Sequence, residues 1–211
     1  MSNSDYIPDA LHREDTRERD ACALICAVRK GGQATHGNVK RTIEALTRMG
    51  HRTGFVDGEG DGVGIMTDIP RELWAKTLAA TGMRSAVASN ASFWVAHLMI
   101  PNSMRGDDET AILAQISSRI CDAGLDILIE RLGQVDSYVL GRSAEKNEPL
   151  FWQIAGVNGR VSSDRLENTI YRLQTGIERE FGVHFPSFSS RSVVYKVQGT
   201  VEILRRYYPE I

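Results

Sequence analysis

Eight consecutive residues, Phe93-Trp-Val-Ala-His-Leu-Met-Ile100, contain one polar side chain, that of His97, and are closed by Pro101-Asn102. An apolar run this short, bounded by turn formers, reads as a buried strand. Cys22-Ala-Leu-Ile-Cys-Ala-Val28 is a second continuous apolar run, ending in a Lys30-Gly31-Gly32 turn, and the same argument makes it the first buried strand. Shorter strand signals lie at 63–67, 126–130, 150–155 and 192–197. Helical spacing places Val39, Ile43, Leu46 and Met49 on one face, with Asn38 as the expected N-cap and Gly50 as the stop. Pro70 suits the first turn of a helix through Leu73, Trp74 and Leu78. Asp107, Asp108 and Glu109 suit the start of one carrying Ile112, Leu113, Ile116 and Ile120. Asp164 and Glu167 resemble a capping box before Leu166, Ile170, Leu173, Ile177 and Phe181. A short helix is expected at 200–208. The order lacks a regular βαβ rhythm and a G-x-G-x-x-G turn after a strand, so the expected class is α+β, with helices on a largely antiparallel sheet.

At 211 residues and 42% hydrophobic composition, the chain has the material for one compact domain. Its net charge of -2, from 25 basic and 27 acidic residues, argues against a nucleic-acid partner held by phosphate neutralisation. No apolar stretch reaches the ~18 residues of a membrane span. The first twenty residues are polar with charges of both signs, unlike a secretory signal. Three cysteines, at 22, 26 and 121, lack CxxC spacing, and the five histidines form no HExxH or HxH pair. These counts argue against a disulfide framework and a structural zinc site, and for a reduced, cytoplasmic protein without a bound metal.

Cys22 stands where the polar leader, residues 1–21, meets the first apolar run. Cleavage after Ala21 would give it a free α-amino group, whose pKa near ~8 suits a general base beside its own thiol. The alternative is a small buried strand cysteine, the reading also given to Cys26 and Cys121. His51-Arg52 follows the first helix; the pair compensates a helix dipole, or Arg52 steadies a thiolate or carboxylate nearby. Gly60-Asp61-Gly62-Val63-Gly64 is too acidic for a phosphate cradle, with Asp57 and Glu59 beside it, and reads as a tight turn entering a strand. Ser189-Ser190-Arg191-Ser192 reads as a polar turn before a strand.

In order along the chain, these segments resemble the amino-terminal glutaminase domain of the glutamate synthase large subunit, a class II glutamine amidotransferase. Glu18-Arg19-Asp20-Ala21-Cys22 looks like that family's E-R-D-A-C junction. His51-Arg52 and Gly60-Asp61-Gly62-Val63-Gly64-Ile65 are similar to its H-R-G and G-D-G-A-G-I, and Asp68-Ile69-Pro70 matches the step that follows. Leu140-Gly141, Ala144, Pro149 and Gln153 resemble its L-G-x-x-A…P…Q. Ser189 to Lys196 is close to S-S-R-T-I-V-Y-K, and Tyr207-Tyr208-Pro209 to its Y-Y-P.

The resemblance implies an N-terminal-nucleophile hydrolase-like αββα sandwich, here its first two-thirds. It implies a propeptide-like leader at 1–21 and a partial amidotransferase domain at 22–211. It makes Cys22 the nucleophile and α-amino base, Arg52 a supporting residue, and glutamine the substrate, hydrolysed to glutamate and ammonia. FMN and an iron–sulfur cluster are implied only for partner domains, which would join the ammonia to 2-oxoglutarate. The family's C-G-V-G-F is Cys22-Ala23-Leu24-Ile25-Cys26 here. Its H-x-R-F-S-T-N and N-G-E segments, which bind the substrate carboxylate and form the oxyanion hole, have no counterpart before Ile211. The expectation is therefore a second protein chain that supplies them. The alternative function is a non-catalytic binding or regulatory module that keeps the amidotransferase fold.

Overall fold

Alternation along the 93–100 strand divides the molecule into two cores. The computed structural model describes residues 22–56, 58–104 and 106–211. Its elements run α1 (His36–Thr47), β1 (Phe55–Val56), β2 (Glu59–Gly60), β3 (Val63–Asp68), α2 (Arg71–Ala80), β4 (Phe93–Ile100) and α3 (Asp107–Asp122). They continue with β5 (Leu125–Leu132), α4 (Arg142–Lys146), β6 (Leu150–Asn158), α5 (Leu166–Phe181), β7 (His184–Ser189), β8 (Ser192–Val197) and α6 (Val201–Tyr207). A four-stranded sheet has the order β5-β6-β4-β7, and β3 pairs with β8 in a separate two-stranded sheet. Both are antiparallel throughout, as the mixed order of elements predicts.

On β4, Trp94, Ala96, Leu98 and Ile100 pack under α3 and α5, against Ile116, Ile120, Leu166, Ile170 and Ile177. Phe93 and Val95 face the opposite way, into a core shared with Trp74 of α2, Phe151 and Ala155 of β6, Val193 and Tyr195 of β8, and Leu204 of α6. Gly156 lets β5 and β6 close over Trp94: a Cβ there would lie 2.0 Å from the Asp126 carbonyl oxygen and 2.4 Å from the indole ring.

The two edges of the smaller sheet differ. Val194 donates its N–H to Ser187 Oγ at 2.9 Å, and its carbonyl accepts from His97 Nδ1 at 2.9 Å. The Lys196 carbonyl accepts from the Tyr208 hydroxyl at 2.7 Å. The outer edge of β8 is thus satisfied by side chains. Strand alternation then turns the backbone groups of Val193, Tyr195 and Val197 toward β3, where they face Thr67, Ile65 and Val63. Gly64 and Met66 consequently turn theirs to the far side, where no partner meets them among the described residues.

Several sequence expectations are corrected. Residues 22–28 form no strand: Leu24 is 90% and Val28 84% exposed. A strand needs a neighbour for its backbone groups, and this run lies instead beside α1, where Asn38 Nδ2 donates to the Ala27 carbonyl at 3.2 Å. Asn38 is therefore not the N-cap; the cap position is Thr35, and α1 starts earlier than the apolar spacing suggests. No capping box opens α5, whose N-cap is Arg165. The Glu167 carboxylate accepts instead from the Ser190 N–H and hydroxyl, pinning the turn between β7 and β8. Strand β7, with Pro186 inside it, carries no clear apolar signal in the sequence. The leader 1–21 and Asp57 lie outside the described residues, as do the side chains of Asp107 and Asp108.

Candidate functional site

The glycine-rich segment is shaped by close approach. After α1, a 3-10 turn, Gly50–Arg52, leads into the short β1–β2 pair and then into β3. A Cβ at Gly60 would sit 2.5 Å from the Gly199 carbonyl carbon, so only glycine allows these two backbones to meet. Asp61 turns its carboxylate onto the next N–H, that of Gly62, at 2.8 Å. This is the tight turn read from the sequence, with its acid engaged locally.

Glu59 connects this turn to a distant segment. Its two carboxylate oxygens accept from the backbone N–H groups of Ser143 and Ala144, at 3.1 and 3.3 Å, where α4 begins. The turn, the α4 segment and the end of β8 thereby border one groove of about 560 Å³, lined among others by Asp61, Gly64, Leu140, Ala144, Pro149 and Lys196. Three motifs far apart in the sequence thus share one surface. Lys196 Nζ donates to His184 Nε2 at 2.9 Å, and His184 Nδ1 lies 3.1 Å from Glu178 Oε1.

The two expected site residues stand apart from that groove, and neither contributes to its lining. Cys22 is exposed at the start of the described chain, and Arg52 is exposed at the end of its 3-10 turn. No hydrogen bond or ion pair joins them among the described residues. The packing role expected for Cys26 and Cys121 is also corrected, since both are exposed free thiols.

Sequence reasoning overlooks a polar cluster buried between the two sheets. His97 and Gln153, both fully buried, face each other across β4 and β6. Because His97 Nδ1 meets a carbonyl, it carries the proton, and Nε2 is left to accept from Gln153 Nε2 at 3.1 Å. The same amide nitrogen donates to Glu210 Oε1 at 2.7 Å. Glu210, its side chain 2% exposed, also accepts from the Tyr195 hydroxyl at 3.1 Å and from Arg131 at 2.7 Å. The Arg131 guanidinium lies over the Trp74 ring. Burial pulls the His97 pKa from 6.5 down to about 4, so the ring is neutral at pH 7. Burial likewise pushes the Tyr195 and Tyr208 hydroxyls up, keeping both protonated. The available signals are weak: one histidine inside an apolar strand, and a glutamine on the strand that pairs with it.

Among the described residues, no three His, Cys, Asp or Glu side chains come together as metal ligands, and no helix is long and apolar enough to cross a membrane.

The family model of class II glutamine amidotransferases matches residues 22–211, and the chain belongs to that family. It is 28% identical over 207 residues to the ferredoxin-dependent glutamate synthase of Pyropia yezoensis, a match covering 92% of this chain and 13% of that protein. It is 27% identical to the NADPH glutamate synthase large chain of Azospirillum brasilense, across 96% of this chain and 14% of that one. A ferredoxin-dependent glutamate synthase 2 of Synechocystis is 29% identical over 92% of this chain and 12% of its own length. The chain thus spans about an eighth of these relatives.

Proposed function

We propose that this chain is a glutaminase-type amidotransferase part of a glutamate synthase-like system, with Cys22 as its nucleophile. The observation that carries the proposal is the family match, which begins at Cys22. Two antiparallel sheets with helices on them are compatible with an N-terminal-nucleophile hydrolase sandwich. The exposure of Cys22 leaves its thiol open to a substrate.

The chemistry follows from freeing the Cys22 amine by removal of residues 1–21. With its pKa near ~8, that amine takes the thiol proton. The thiolate attacks the side-chain amide carbon of glutamine, and the proton passes to the departing ammonia. Water then cleaves the thioester, releasing glutamate and restoring the thiol. Arg52, always charged, supports the site electrostatically. Segments like the family's H-x-R-F-S-T-N and N-G-E, on this polypeptide or another, would bind the substrate carboxylate and the oxyanion; loss of a single oxyanion donor typically costs ~100- to ~1000-fold in rate. FMN and an iron–sulfur cluster would belong to partner domains of such a system.

Intact mass and thiol labelling test the proposal. A mature chain beginning at Cys22, modified once by a glutamine-analogue electrophile and unmodified in Cys22→Ser, is the expected result. Retention of residues 1–21 with no labelling overturns it. That outcome favours a second reading, a binding or regulatory module, which the lack of any strand pairing by residues 22–28 supports. Supplied with the carboxylate- and oxyanion-binding segments, the chain beginning at Cys22 should produce ammonia from glutamine; no release removes the glutaminase reading.

A further inference from the structure

The buried cluster holds an atom its hydrogen bonds leave over. Gln153 Oε1 is buried and meets no donor, while Gln153 Nε2 serves two acceptors, His97 Nε2 and Glu210 Oε1. This arrangement is consistent only while the His97 ring is neutral, because only then does Nε2 offer a lone pair. A proton on Nε2 turns that acceptor into a donor and sets it against the amide N–H. The unused Oε1 is the acceptor such a donor requires, and rotating the amide by half a turn brings it there. The rotated oxygen would then face Glu210 Oε1, a distance of 2.7 Å from the present nitrogen, and two acceptors cannot share a hydrogen bond.

We propose that His97, Gln153 and Glu210 form a proton-operated latch on the turn at 209–210, in which protonation of His97 turns the Gln153 amide over and breaks its bond to Glu210. The step moves one proton from a solvent hydronium, whose O–H bond breaks, to the lone pair of His97 Nε2, where the N–H bond forms; no other covalent bond changes. The His97 Nδ1 bond to Val194 and the Tyr208 hydroxyl bond to Lys196 survive, so β8 and Tyr208 stay in place while Glu210 loses one of its three side-chain partners. The groups facing His97 set the balance: Glu210 from the 209–210 turn favours the proton, and Arg131 from β5 opposes it. Tyr195 from β8 contributes a ring edge and Phe151 from β6 an apolar wall. Burial opposes the proton most, which places the switch well below neutral pH.

Nitrogen-resolved NMR of the full chain from pH 7.5 to 3.5 tests the latch. The expected result is a neutral Nδ1–H tautomer at pH 7. On acidification, the His97 ring, the Gln153 side-chain amide and the backbone of Glu210 and Ile211 should then shift with one common midpoint. In Gln153→Met, which keeps the volume and removes the amide, the Glu210 shift should no longer follow the His97 midpoint. His97→Gln should abolish the transition at Glu210 and Ile211. An Nε2–H tautomer at pH 7 overturns the proposal. So does titration of His97 without movement of the Gln153 signals, or global unfolding before any change at Gln153 and Glu210. None of these readouts depends on amidotransferase activity.

Discussion

Glu210 is the most heavily committed side chain of the buried cluster, accepting from Gln153, Tyr195 and Arg131 at once. Truncating one member of a buried pair leaves the other charge without compensation, at a typical cost of ~3–5 kcal/mol. Glu210→Ala is accordingly expected to lower the urea unfolding free energy by about that much, while Glu210→Gln, which still accepts hydrogen bonds, loses less. His97 makes a separate prediction. Its folded pKa of about 4 lies below the 6.5 of an unperturbed histidine. Between those values the unfolded chain binds a proton that the folded chain refuses, so stability falls as pH drops through that window and is level above it. At ~1.4 kcal/mol per pH unit, the full window is worth about 3 kcal/mol. Urea midpoints measured from pH 7.5 to 4.5 should show this slope in the wild type and a flatter one in His97→Gln.

The strands and helices supply a contrast between two glycines. Gly156 is wedged against the Asp126 carbonyl and the Trp94 ring, so Gly156→Ala must push β5 from β6 or displace the indole. Overpacking of this kind typically costs ~1–3 kcal/mol. Gly176 sits in the middle of α5, where an added methyl would meet nothing within 4 Å, so Gly176→Ala should gain ~1 kcal/mol from helix propensity alone. Thermal unfolding of the two variants should move in opposite directions. Elements whose apolar pattern matches their surroundings are legible in the sequence: β4, α3, β6 and β8 lie where their spacing puts them, since each carries residues for a core on the face that meets it. Residues 22–28 show why composition misleads. An apolar run states what a segment would bury and leaves open which neighbour accepts its backbone. β7 escapes notice for the opposite reason, because Pro186 and two serines hide a strand that Phe185 and Phe188 anchor. The family motifs are legible as an ordered set. Their convergence on one groove is not, because it depends on Glu59 reaching α4 across more than eighty residues of chain.

The distribution of unpaired edges concerns the whole molecule. Exposed strand edges invite pairing with other chains, and natural proteins suppress this with charge. Met66 on β3 is 70% exposed and apolar. Met66→Lys should therefore reduce concentration-dependent association in sedimentation velocity while leaving the unfolding midpoint nearly unchanged. Unchanged association would show that this edge is not the contact. The smaller sheet, moreover, can grow in one direction only. Ser187, His97 and Tyr208 plug its β8 flank as a hem closes cloth, so any additional strand, from this polypeptide or another, has to be laid down beyond β3.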